Sequence, residues 1–154
     1  MTNSTGLIWS PTFSVGHRSM DATHHKFLLL LASAQVALDS SFAACFAELN
    51  KHTRDHFAEE DLQMQQSGFP SAQCHLDEHA AVLASLGGVL QLVNDGQIAR
   101  GRHLCRALAD WFPEHTQSMD AGVAKWLVKQ RTGGAPLKFV RNPALATPSV
   151  GQAT

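Results

Sequence analysis

The feature that most constrains this chain is a helical period, sustained through four segments, in which histidines and carboxylates occupy positions otherwise reserved for apolar side chains. In the first segment, about 20 to 39, Phe27, Leu28, Leu31, Ala34 and Leu38 recur at three- and four-residue steps, and His24 lies on the same stripe. Ser40 and Ser41 break the pattern and offer hydroxyls to cap a second helix. Its inward face reads Phe42, Cys45, Phe46, Leu49, Thr53, His56, Glu60 and Met64, and it stops at Gly68 with Pro70 beyond. Ser71 is placed to cap a third helix, with His75, His79, Val82, Leu83, Leu86, Leu90 and Val93 on one face and Asn94-Asp95-Gly96 at its end. Gly87-Gly88 in its middle reads as a place for close helix packing. A fourth helix, from about Ile98 to Gln130, carries Leu104, Leu108, Trp111, Phe112, His115, Met119, Val123 and Trp126. Pro113 inside it removes one backbone hydrogen bond and predicts a kink one turn before the histidine.

Four helices with short connections, and no alternating strand pattern to compete, predict an all-α fold, an antiparallel up-and-down four-helix bundle. The 154 residues are enough for one domain with its own core. The bundle and an irregular N-terminal arm bearing Trp9 and Phe13 are expected over 1–131, and a flexible extension punctuated by Gly133, Gly134, Pro136, Pro143 and Pro148 over 132–154. A net charge of -1 without a basic stripe argues against nucleic acid as a partner. The longest apolar run, Phe27 to Leu31, is too short for a membrane span, and Met1 to Gly6 lacks the character of a secretory signal. The expectation is a cytoplasmic monomer. Cys45, Cys74 and Cys105 form no C-x-x-C pair and read as small buried hydrophobes.

Chemistry is concentrated in the histidines, nine in a chain with no tyrosine. His56 and Glu60 stand four apart and so project from one helix face, as do His75 and His79. Either pair alone is common on solvated helices. On a core stripe, however, an unpartnered imidazole or carboxylate costs several kcal/mol, on the order of any unsatisfied buried polar group, and a bound metal removes that cost. His24, His115 and Asp120 bring the inward set to five histidines and two carboxylates drawn from all four helices. A thiolate-free set of this kind suits iron, manganese or zinc, and seven donors are too many for one ion. Asp120 follows His115 by five residues, about 140 degrees around an ideal helix, which suits a carboxylate reaching across two ions rather than sitting beside the histidine. His52, one turn before His56, is in reach of a supporting role, Glu59 reads as a solvated neighbour, and His17, His25 and His103 read as surface residues.

At this point the sequence resembles the hemerythrin family over roughly residues 8 to 128. Ile8-Trp9 with Phe13-Ser14-Val15-Gly16 is similar to the arm of bacterial members, Asp21 to His24 fits D-x-x-H, and His56 to Glu60 fits H-F-x-x-E-E with Met64 following. Gly68-Phe69-Pro70, His75 to His79, and Trp111 to Asp120 fit the G-[YF]-P turn, the H-x-x-x-H pair and W-x-x-x-H-x-x-x-x-D. The resemblance implies an oxo- or hydroxo-bridged pair of iron ions. His75, His79 and His115 would hold one, His24 and His56 the other, and Glu60 with Asp120 would bridge them. It implies reversible dioxygen binding, as a carrier or store and not as an enzyme, at the iron with two histidines, behind a dry wall for which Leu28, Phe57, Trp111 and Met119 are candidates. An oxygen, redox or nitric oxide sensor using the same centre is the alternative; the repeated E-x-x-H pattern of di-iron oxygenases is absent. The stretch Phe112-Pro113-Glu114-His115-Thr116 departs from the family's usual apolar surroundings, and a Thr116 hydroxyl facing the pocket would let in water and hasten oxidation.

Overall fold

The computed structural model describes residues 7–133. Four helical rods carry the fold: α1 (Arg18–Val36), α2 (Asp39–Ser67), α3 (Ala72–Asn94), and a last rod made of α4 (Ile98–His115), a π-helical turn (Thr116–Asp120) and α5 (Ala121–Thr132). Each rod packs on the next, and α4 returns against α1, which closes the ring of an up-and-down bundle. The first six residues and everything after Gly133, including nearly all of the expected 132–154 extension, lie outside the described residues.

Several helix ends differ from the sequence reading. Leu38 fits the apolar stripe by period, but Ala37 is extended (ψ 142°) and breaks the phase, so Leu38 is 75% exposed and serves as the backbone N-cap of α2. Neither serine caps that helix; the Ser41 hydroxyl donates back to the Leu38 carbonyl. Ser71 stands at the start of α3 without a side-chain cap bond. His17, by contrast, caps α1, its Nδ1 accepting from the Met20 N–H at 3.4 Å. Gly68, at φ 66°, ends α2 as expected, in the left-handed region that favours glycine.

Apolar side chains fall into two layers. The larger holds Phe27, Leu28, Leu31, Phe42, Phe46, Leu49, Leu86, Cys105, Leu108 and Phe112, and the smaller holds Met20, Met64, Val123 and Ala124. On every rod the predicted donor residues lie between the two: His24 between Met20 and Phe27, His56 and Glu60 between Leu49 and Met64, His75 and His79 between Ala72 and Val82, and Asp120 between Phe112 and Val123. The arm closes the α1–α4 seam, with Phe13 buried against Phe112 at 5.7 Å between ring centroids. Asp21 anchors it, accepting from the Val15 N–H at 2.7 Å and the Ser14 hydroxyl at 2.8 Å.

Close helix packing occurs at Gly101, not at Gly87-Gly88. Gly88 has open space around it and Gly87 meets only the Arg54 guanidinium, whereas a Cβ at Gly101 would overlap the Phe42 ring and come within 2.7 Å of Val93 Cγ2. Phe42 is fully buried and has nowhere to move. Gly101→Ala should therefore destabilise the fold by about 1–3 kcal/mol through overpacking, against roughly 1 kcal/mol gained in helix propensity. A urea midpoint equal to or above the parent's would refute this.

The cysteines also depart from expectation: Cys105 is buried and Cys45 half-buried, but Cys74 is exposed. Burial pushes the Cys105 thiol up to about 11. By length and composition alone α3 is apolar enough to cross a bilayer, which the run-length reading did not foresee, because Ala80, Ala81 and Ala84 raise its average beside its scattered leucines and valines. Its buried His75 and His79, and its packing between α2 and α4, make it a bundle helix.

Candidate metal centre

All seven predicted donors are buried, from 0% exposure at His79 to 8% at His56, and they converge between the two apolar layers. They form two adjoining groups, His75, His79, His115 and Asp120 in one and His24, His56 and Glu60 in the other, with the donor atoms of each within 4.8 Å of one another. Nε2 of His115 lies 3.3 Å from Nε2 of both His75 and His79. Asp120 spans the groups: Oδ1 is 3.0 Å from Nε2 of His75 and of His115, and Oδ2 is 3.1 Å from Nε2 of His24. Glu60 does so more loosely, with Oε2 3.3 Å from His56 Nε2 and 3.9 Å from His79 Nε2, and Oε1 4.0 Å from His75 Nε2.

The π turn explains how Asp120 reaches this face. Its wider coil advances each residue by a smaller angle, and the Ala121 N–H accordingly bonds the Thr116 carbonyl five residues back. The five-residue spacing is thus absorbed after His115 and not at Pro113, which sits within α4.

A cation fits what these residues lack. Both oxygens of Glu60, both of Asp120, both ring nitrogens of His24 and Nδ1 of His75 are buried with no hydrogen-bond partner among the described residues. The His24–Asp120 approach is close, yet misaligned for a hydrogen bond. Each such group costs about 1–3 kcal/mol, more where charged. Burial, then the charges of surrounding histidines, lower His56 to about 3 and His79 to about 2, so both rings are neutral and offer lone pairs, as metal ligation requires. Burial and the neighbouring Asp120 raise Glu60 well above the usual carboxylate range. For Asp120 burial acts upward, but the close approach of the imidazoles of His115, His24 and His75, at 3.0–3.1 Å, overturns it and holds the group well below that range.

Two carboxylates that sequence reasoning passed over stand behind the rings. Asp61 Oδ1 is 2.6 Å from His79 Nδ1, and Glu78 Oε1 is 2.9 Å from His115 Nδ1 while also accepting from Trp111 Nε1 at 2.7 Å. His52 pairs instead with the Thr23 carbonyl, 3.1 Å away, and lies stacked near His56. Of the candidate wall residues, Leu28 and Phe57 are buried, whereas Trp111 and Met119 are half-buried. Phe57 stacks on His79 at 3.7 Å and Trp111 on His115 at 4.3 Å, both on the three-histidine group. The wall beside His24 is Phe112, edge-on at 5.6 Å, which the sequence reading left among core residues. Thr116 is 1% exposed, and its hydroxyl has no partner among the described residues.

A family model described as the hemerythrin HHE cation binding domain matches residues 15–127, leaving the arm before Val15 outside the match. The chain is similar to a bacteriohemerythrin from Ralstonia nicotianae, 35% identical over 122 residues that cover 79% of this chain and 89% of the relative. It is also similar to myohemerythrins from Riftia pachyptila and Sipunculus nudus, each 26% identical over 113 residues covering 73% of this chain and 87% of theirs.

Proposed function

This chain belongs to the hemerythrin family, and from that premise we propose that it is a reversible dioxygen carrier or store built on two iron ions. His75, His79 and His115 hold one ion, His24 and His56 hold the other, and Asp120 and Glu60 join them. A bound iron pair supplies the two electrons that dioxygen takes up on binding and returns on release. The observation that carries the reading is the unequal division of buried donors, three histidines against two, around a carboxylate that touches both groups. The half with fewer protein donors leaves room for a small ligand, and the apolar side chains around it admit a neutral diatomic molecule more readily than water.

Phe112, Leu28 and Phe57 act as the barrier to water, and Phe57 and Trp111 also pin two of the rings by stacking. Stopped-flow mixing of the reduced, iron-loaded chain with dioxygen tests the proposal: a visible charge-transfer band should form on mixing and disappear when oxygen is removed, over repeated cycles. Irreversible oxidation without such a band would favour a sensor or an oxidase and sink the carrier reading. Thr116→Val, which deletes the buried hydroxyl at nearly constant volume, should lengthen the life of the oxygenated state; an unchanged decay rate would clear Thr116 of any part in water entry.

A further inference from the structure

The two halves of the centre are supported unequally from behind. Asp61 and Glu78 each take an Nδ1 of the three-histidine group, at 2.6 Å on His79 and 2.9 Å on His115. In the other group His24 Nδ1 has no partner among the described residues, and no carboxylate among them accepts from His56 Nδ1, whose ring neighbours are His24, Phe57 and, at 6.4 Å between centroids, His52. A carboxylate on Nδ1 fixes the tautomer with its lone pair on Nε2, locks the ring's direction and makes the nitrogen a stronger donor. The three-histidine group also has the larger number of rings, three against two.

We infer that the centre loads its cations in a fixed order, the three-histidine half first, and that Asp61 and Glu78 are the positioning residues that set this order. The inference rests on the two-cation reading of the site. Both carboxylates are about 30% exposed, at 28% for Asp61 and 30% for Glu78, so they add negative charge behind the rings with less desolvation than Glu60 and Asp120 undergo at 2% and 1%. Trp111 keeps Glu78 in place from its other side, holding the same oxygen that His115 uses. Of the rings in this half, His75 alone depends on metal to fix its direction, since its Nδ1 is unpartnered among the described residues.

The test is a titration of the metal-free chain with Co(II) under anaerobic conditions, followed by calorimetry and by proton NMR of the hyperfine-shifted imidazole N–H signals. The parent should show two resolved steps. At one equivalent it should show two slowly exchanging shifted N–H signals, those of His79 and His115, protected by their carboxylates. Asp61→Ala and Glu78→Ala should each weaken the first step by roughly 10- to 100-fold and remove one of those signals, leaving the second step in place. Asp61→Asn and Glu78→Gln, which keep an acceptor but lose the charge, should recover part of the loss. Both positions are half-exposed, so these variants are expected to fold, and far-ultraviolet circular dichroism checks that they do. Uptake of both ions in one unresolved step, or variants that weaken the second step or neither, would overturn the loading order. A parent chain that takes up fewer than two ions would instead refute the two-cation reading itself.

Discussion

An Asp120→Ala chain is expected to retain at most one metal ion per molecule after gel filtration, where the parent retains two, as counted by inductively coupled plasma mass spectrometry. Asp120 approaches both donor groups to within about 3 Å, with one oxygen 3.0 Å from His75 and His115 and the other 3.1 Å from His24. Glu60 reaches across only at 3.9 and 4.0 Å. Without Asp120, two divalent cations would face each other across a single carboxylate. A lost opposite charge near 4 Å is worth about 4 kcal/mol per unit of cation charge at the effective dielectric of protein sites, roughly a thousandfold in affinity or more for a divalent ion. Asp120→Asn, which keeps the shape and loses only the charge, should behave the same way, and this separates electrostatics from any cavity left by the truncation. Two ions retained by the asparagine variant would remove Asp120 from the role of joining the groups.

Much of this centre was legible because burying a histidine or carboxylate on an apolar stripe demands a reason, and seven such positions on four stripes share one. Asp61 and Glu78 were not legible. In sequence they are acidic residues beside ligands, no different from the exposed Glu59, and only the fold brings Asp61 to a ring 18 residues away and Glu78 to one 37 residues away. The five-residue step from His115 to Asp120 was visible and did signal an irregular helix, but Pro113 drew the attention that belonged to the π turn. Likewise the Gly87-Gly88 pair stands out in the sequence while the tight contact is at Gly101, where Phe42 and Val93 arrive from two other helices. Helix periods identify faces; they do not say which residues on two different helices meet. Leu38 shows the same limit at a helix end, where one extended residue takes an in-phase leucine out of the core.

Removing the metals should lower the melting temperature by roughly 20 °C: two ions each held at about a thousandfold above their dissociation constants contribute about 4 kcal/mol apiece, and a domain of this size shifts by about 2–4 °C per kcal/mol. The metal-free chain should then show a pH dependence that the loaded chain lacks. Folding depresses His56 to about 3 and His79 to about 2 from 6.5. Between those values the unfolded chain binds protons that the folded chain refuses, so stability is fully present above pH 6.5 and is lost as pH falls toward 3, by on the order of 5 kcal/mol for each ring. Glu60 acts with the opposite sign: its raised value means a contribution fully present below about 4.5 and lost as pH rises through the folded value. Glu60→Gln should therefore make the metal-free chain more stable at pH 8, by removing a buried carboxylate that has no partner, while abolishing uptake of the second ion. Urea unfolding of both metal-free chains at pH 4, 6 and 8 decides this. A glutamine variant no more stable than the parent at pH 8 would mean that Glu60 is not strained in the empty site, and the case that a cation is needed there would lose its strongest physical support.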